Sequence, residues 1–323
     1  MKHIGAAKLV ILTIATTILA VAAGCASSRP IAPLGGPFHK ISAAEADARA
    51  EAVRADPLAY LREVRDNCRT LQQYSLNFTR QERRGFFRTL GDPERIACKF
   101  RREPFSIHMK WLDPDIKYGE STYVAGAEDD KVRFVPRHGL FGLPPRVTRV
   151  GLQTPVIWGE AKYPLTEFGL EKMMDRTIRN IERSPDEVSI SYQGLTKLAE
   201  SGRPVHFLRL EFPPSRHRSP IQELFVDLET DLPICTRVLN TSGSLEGAYL
   251  WEDVDPTVSF TEDDFLLEAE RAAREGQDSR RAGEGEAPAE PAEPEAQART
   301  KSPRKGATEP RAERTAHRAV AHD

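Results

Sequence analysis

From Tyr74 onward apolar and polar residues alternate along the chain. Tyr74, Leu76 and Phe78 alternate with Ser75, Asn77 and Thr79, and the segment runs on into Arg80 to Arg84. Ile96, Cys98 and Phe100 alternate with Ala97, Lys99 and Arg101, and Phe105, Ile107, Met109 and Trp111 with Ser106, His108 and Lys110. A period of two puts successive side chains on opposite faces of a strand, so each segment carries one apolar and one wet face, as in antiparallel sheets covered on a single side. Ser121 to Ala125 and Lys131 to Arg137 predict a hairpin around Gly126 and the acidic tip Glu128, Asp129 and Asp130. Further strands are predicted at Val188–Tyr192, Val205–Phe212, Ile221–Leu228, Pro233–Leu239 and Leu245–Val254.

Helical spacing occupies the places between. Asp56 reads as an N-cap and Pro57 as the first helical residue, and Leu58, Leu61, Val64, Cys68 and Leu71 follow at three- and four-residue steps. A second helix is predicted from Thr166, with Leu170, Met173, Met174, Thr177, Ile178 and Ile181 on its apolar face; its methionines read first as gap-filling core and second as an adaptable ligand lining. Ser42 to Arg54 is alanine-rich and reads as a helical spacer, and the acidic residues of Thr261 to Glu268 favour a last short helical turn. Between these elements, residues 138–163 are rich in glycine and proline without a sustained period, as binding loops and lids are.

Two amphipathic helices facing a one-sided antiparallel sheet define an α+β fold in which a curved antiparallel sheet folds partly around helices. Such a sheet can enclose an apolar cavity. The alternation offers Leu76, Phe78, Ile107, Met109, Trp111, Phe207, Leu224 and Tyr249 as candidate lining residues.

The ends of the chain are different materials. Lys2 and Lys8 precede an apolar run, Leu9 to Val21, which is too short to span a bilayer and ends in Ala22-Ala23-Gly24-Cys25. This exit resembles the bacterial lipobox, whose cysteine is acylated after cleavage, and Ala22 stands where leucine is commonest. Cys25 is therefore the expected lipid attachment site, anchoring the chain to a membrane without spanning it. Ala26 occupies the position where the resemblance places the aspartate of inner-membrane retention, which favours the outer membrane. The expected organisation is a signal peptide over 1–24, a tether and alanine-rich helix over 25–56, the sheet domain over 57–268, and a disordered Ala/Glu/Pro/Arg tail over 269–323 whose only large aliphatic residue beyond Glu270 is Val320. The 46 basic and 48 acidic side chains argue against a nucleic-acid partner recognised through bulk positive charge. With Cys25 lipidated, Cys68, Cys98 and Cys235 remain, and Cys98 and Cys235 either pair or stay buried as thiols.

Catalytic spacing is missing. There is no His-Glu-x-x-His helix, no phosphate loop and no complete Gly-x-Ser-x-Gly elbow, and Asp253 and Asp255 lack the rest of a calcium loop. His108 lies on the predicted wet face of its strand, and His138 and His217 lie in loops, none with an assigned partner. No enzymatic activity, cofactor or metal is expected.

Five blocks in order, YSLNFTRQERRG (74–85), REPFSIHMKWLDPD (102–115), YPLTEFGLEKMM (163–174), FVDLETDLPICTRV (225–238) and SFTEDDF (259–265), resemble an uncharacterised bacterial envelope family known as a domain of unknown function. That family is similar to the Lol-type outer-membrane lipoprotein carriers, whose strand motifs have loose counterparts in Phe78 to Gln81 and Pro104 through Trp111. The resemblance implies an unclosed half-barrel capped by helices over a hydrophobic cavity, and it implies no catalytic residues. The expectation is a lipid-anchored protein on the periplasmic face of a membrane, binding an acyl chain, a lipoprotein segment or another apolar envelope molecule. Its rival is an interaction lipoprotein acting through 138–163 and the charged tail.

Overall fold

The computed structural model describes residues 41–84, 88–139 and 143–284. The predicted signal peptide, Cys25, most of the tether and residues 285–323 lie outside them. In chain order the elements are helices α1 (Ala43–Ala55) and α2 (Pro57–Thr70); strands β1 (Gln73–Arg84), β2 (Thr89–Leu90), β3 (Glu94–Arg101), β4 (Ser106–Trp111), β5 (Tyr118–Val124), β6 (Lys131–Pro136) and β7 (Thr148–Gly151); helices α3 (Thr154–Ile157) and α4 (Leu170–Glu182); strands β8 (Ser189–Lys197), β9 (Pro204–Glu211), β10 (Ile221–Asp227), β11 (Pro233–Leu239) and β12 (Leu245–Asp255); and helix α5 (Glu268–Glu284).

Antiparallel pairing joins the strands in the order β7-β6-β5-β4-β3-β1-β12-β11-β10-β9-β8, with β2 paired to β1. β1 is the seam, because its one edge takes β3 and the other takes β12, so the first and last thirds of the sheet meet on it. β7 and β8 do not pair with each other, and the sheet stays open, as the family resemblance implies. One face collects Tyr74, Leu76, Phe78, Ile96, Ile107 and Leu224 into the main core, and α2 and α4 close over it with Leu61, Val64, Leu170, Met174 and Ile178. Fully burying a side chain of this size stabilises by about 1.5–3 kcal/mol, which gives both helices their place on the sheet. Where α2 ends, the Arg102 guanidinium donates to the carbonyls of Cys68 (3.2 Å) and Leu71 (3.1 Å), adding to the cap that the Leu71 N–H makes on Cys68.

The second helix starts four residues later than its apolar spacing suggests. Gly169 adopts φ 121°, and a Cβ there would sit 3.2 Å from both the Phe100 ring and the Tyr74 hydroxyl. Only glycine fits this approach, so the chain turns there and α4 begins at Leu170, whose N–H donates to the Tyr74 hydroxyl at 3.2 Å. Residues 138–163 also hold more structure than their composition predicts: β7 adds an edge strand to β6, and α3 follows it.

The face expected to be wet is partly covered. A 3-10 turn (Glu262–Phe265) and the start of α5 lie against the outer side of β4 and β5 and bury His108, Glu120, Thr122 and Arg133 beneath them. His108 Nε2 lies 3.1 Å from Glu120, so this histidine has a partner after all. The expected domain end at 268 falls at the first residues of α5 rather than at a disordered tail, because the Ala, Glu and Arg that weaken a core are strong helix formers. The compact unit holding the sheet extends to Glu275. Among the described residues no helix is long and apolar enough to cross a membrane.

His206 makes the fold acid-sensitive. It is fully buried on β9, 5.2 Å from the Tyr60 ring of α2, with the Tyr192 hydroxyl 2.9 Å from Nδ1 and no partner at Nε2. Burial, reinforced by Arg49 and opposed by Asp227, lowers its pKa from 6.5 to about 4. The unfolded chain therefore takes up a proton before the folded one does, and stability present above pH 6.5 is lost as pH falls toward about 4. The loss amounts to about 3 kcal/mol. Urea titrations across this range should show the slope in the parent protein and a flatter profile in His206→Gln; equal slopes would remove His206 from the account.

Candidate functional site

Between the concave sheet face, α4 and the segment 155–165 lies a cavity of about 560 Å³. Its wall follows from the strand pleat. Along β1 the inward side chains are Tyr74, Leu76, Phe78, Arg80 and Glu82, so one face passes from aromatic to charged in a single strand. The apolar part takes Phe78, Met109, Trp111, Val132, Phe134 and Phe168, and all three tryptophans of the chain, Trp111, Trp158 and Trp251, line the space. Trp158 and its neighbour Ile157 are exposed by 62% and 77%, in the segment that borders the cavity.

The polar end is organised by buried carboxylates. Glu94 accepts from Arg80 Nε (2.9 Å), from Trp111 Nε1 (3.0 Å) and from Arg84, which is 2.6 Å away. Burial pushes the Glu94 carboxyl up, but Arg80, Arg84 and the Trp111 hydrogen bond outweigh it and hold it below the usual carboxylate range. Glu82 accepts from the Tyr249 hydroxyl at 2.5 Å, and its other oxygen lies 3.5 Å from Arg84 without a hydrogen bond. Tyr249 is driven well above its ordinary value, by burial first and the Glu82 charge second, and stays a neutral donor. Glu160 accepts from Tyr118 and Lys117. Lys162 reaches across Gly247, where a Cβ would sit 3.2 Å from Nζ, and donates to the Glu246 carbonyl at 2.6 Å. Two buried donors on the wall, Ser121 Oγ and Trp251 Nε1, have no hydrogen-bond partner among the described residues.

Phe78, Met109, Trp111 and Tyr249 therefore stand on the cavity wall. Leu76, Ile107 and Leu224 share that sheet face but lie packed in the core away from the cavity wall. Phe207 is on the opposite face, stacked on Phe225 at 4.6 Å between ring centroids. The cause is local: Val205-His206-Phe207-Leu208 is an unbroken run without a phase, and it is Leu208 and Leu210 that turn inward. The two methionines divide, with Met174 fully buried in the core and Met173 also touching the cavity. Cys98 belongs to the inner core and Cys235 to the cluster on the outer face; both are free thiols, as is Cys68. Burial raises Cys68 and Cys235 to about 12, so they act as small apolar groups. Among the described residues no cluster of three or more His, Cys, Asp or Glu side chains is placed to hold a metal ion.

Charged residues on the wall carry no apolar signal, so only their phase marks them as inward. Arg80 and Glu82 are in phase with Leu76 and Phe78, and that phase alone placed them inside. Lys162 and Arg218 come from irregular segments and carry no periodic signal.

An open antiparallel half-barrel enclosing a mostly apolar cavity with a charged end defines the class. The chain belongs to the family described as "Protein of unknown function (DUF1571)", whose model matches residues 71–273. Among solved structures it is similar to MucB in the Pseudomonas aeruginosa MucA/MucB complex (16% identity, covering 67% of this chain and 62% of that one, TM-score 0.40). It is also similar to the Mycobacterium tuberculosis lipoprotein LppX (12% identity, 64% and 100% covered, TM-score 0.37) and to a LolA superfamily protein from Nitrosomonas europaea (7% identity, 65% and 97% covered, TM-score 0.31). The chain thus spans less than two thirds of the MucB chain. No curated protein matches it.

Proposed function

We propose that this protein binds an apolar molecule of the cell envelope, an acyl chain or the acylated end of a lipoprotein, inside the half-barrel, and that it works by binding and not by catalysis. In this reading Cys25 carries the lipid that holds the domain at the periplasmic face of a membrane, with the outer membrane favoured. The cavity carries the proposal: about 560 Å³ falls within the range of small-molecule sites, and its aromatic and aliphatic wall suits methylene groups worth ~0.8 kcal/mol each on burial. The unpartnered Ser121 and Trp251 donors give such a ligand somewhere to place a polar atom.

The test is extraction and mass spectrometry of what co-purifies with the full chain carrying Cys25→Ser, which has no acyl group of its own at that position. Lipid should accompany the parent protein. Val150→Trp, which fills the cavity from edge strand β7, should reduce the bound amount severalfold without unfolding the sheet. An empty parent protein that also leaves an apolar fluorescent probe unshifted would end this reading.

A further inference from the structure

The apolar wall accounts for a chain but not for the charge at its end. Five basic side chains line the cavity, Arg80, Arg88, Lys162, Arg176 and Arg218, against three acidic ones, Glu82, Glu160 and Glu167. Most are answered. Arg80 pairs with Glu94, Arg176 with Glu167, Glu160 with Lys117, and Glu246 is shared by Arg83 and Arg88. Two cations are left. Lys162, half-buried, donates only to a backbone carbonyl and has no carboxylate within 4.0 Å among the described residues; Arg218, exposed, has no hydrogen-bond or ion-pair partner there. Both belong to one electrostatic neighbourhood: burial lowers the Lys162 pKa, and Arg88 and Arg218 add to the depression against the pull of Glu82 and Glu246. An ammonium half-buried on the cavity wall, bonded only to a backbone carbonyl and with donors to spare, is stabilised by an incoming anion.

Resting on the binding function proposed above, we infer that the ligand is an amphiphile whose acyl chain occupies the apolar part and whose anionic head, a carboxylate or phosphate, is held by Lys162 and Arg218. Three observations converge on it. The unanswered cations stand at the charged end of the cavity. The change from Phe78 to Arg80 and Glu82 along β1 puts that end one strand step from the aromatic wall. Gly247 leaves room for the Lys162 ammonium where any other side chain would fill it. Glu82 is engaged elsewhere, accepting from the Tyr249 hydroxyl and lying 3.5 Å from Arg84, and pairs with neither cation.

The tryptophans on the wall provide the readout. Dibromostearate and dibromostearyl alcohol share one chain and differ in charge, and bromine beside an indole quenches its fluorescence. With the full chain carrying Cys25→Ser, the acid should bind about tenfold more tightly than the alcohol, the scale of one charged hydrogen bond. Lys162→Met and, separately, Arg218→Gln should weaken the acid severalfold and leave the alcohol unchanged; Arg218 is exposed, so its replacement leaves the fold intact. A lysophosphatidate should displace the bromo-acid while inorganic phosphate alone should not. Equal binding of acid and alcohol, or displacement by phosphate alone, overturns the head-group assignment while cavity binding stands. Quenching by neither compound overturns cavity binding itself.

Discussion

Glu94→Ala is expected to lower the unfolding free energy by about 3–5 kcal/mol, the scale of breaking a buried ion pair from one side. The substitution removes one carboxylate that answers three donors. Arg80 would keep its guanidinium beside the cavity with no other carboxylate within 4.0 Å among the described residues, Trp111 Nε1 would lose its acceptor, and Arg84 would keep the 3.5 Å approach to Glu82. Arg80 also lies over the Trp111 ring at 5.9 Å, so the two side chains loosen together. Glu94→Gln keeps an acceptor for Trp111 and should cost less. The pH dependence follows from the depressed carboxyl: the unfolded group, at 4.5, takes up its proton before the folded one, so the stabilisation is complete above that pH and is lost as pH falls through the lower folded value. Urea unfolding of the parent, Glu94→Gln and Glu94→Ala near neutral pH measures the series. A Glu94→Ala protein within 1 kcal/mol of the parent would show that water, not the carboxylate, solvates Arg80.

The contrast between apolar and charged positions also explains how much the sequence disclosed. β1, β3 and β4 were legible to within one or two residues because Leu76, Phe78, Ile107 and Met109 each sit between polar neighbours and Ile96, Cys98 and Phe100 alternate with Ala97, Lys99 and Arg101, and a period of two has only one way to fold against a core. α2 was legible from Asp56 and Pro57, and Asp56 does cap it, accepting from the Ala59 N–H at 2.9 Å. Three kinds of information were not there. Phe207 lies in a run that is apolar on both faces, so no phase could be read. The late start of α4 depends on Tyr74 and Phe100 meeting Gly169 across the fold, a contact between blocks that lie far apart in the chain. The outer face of β3, β4 and β5 reads as wet from Lys99, His108 and Lys110, yet it receives a C-terminal strap, the 3-10 turn Glu262–Phe265 and the start of α5: Lys99 pairs with Asp264 at 2.8 Å, and Glu120 accepts from the Glu268 N–H at 2.8 Å. Polarity at a strand position states what the side chain can bond, not whether water reaches it.

That strap supports the other large prediction: Phe265→Ala should destabilise the protein by about 3–5 kcal/mol, as removal of a buried phenyl ring does. Phe265 is 1% exposed, with its ring against Phe260 edge-on at 5.7 Å and the Arg101 guanidinium 4.7 Å from its centroid. Its carbonyl accepts from Thr122 Oγ1 (2.7 Å) and Arg133 Nη2 (3.2 Å), so the ring fixes a turn that also satisfies two groups buried on the sheet. Loss of the ring leaves a hole and frees the turn, and the buried Thr122, Arg133 and His108–Glu120 pair then face water together. Asp264→Ala removes only the carboxylate that accepts from the Thr261 N–H at 2.9 Å and from Lys99, and should cost about 1 kcal/mol, the scale of a helix cap. The strap lies on the outer face and the cavity on the inner one, so Phe265→Ala, kept at a temperature where it is folded, should bind the bromo-acid as the parent does. A variant that keeps parental stability would show that the strap is laid on the sheet without holding it. One that stays folded but loses the ligand would mean that the two faces are coupled through β4 and β5, which carry Met109 and Ser121 on the cavity side and His108 and Thr122 on the strap side.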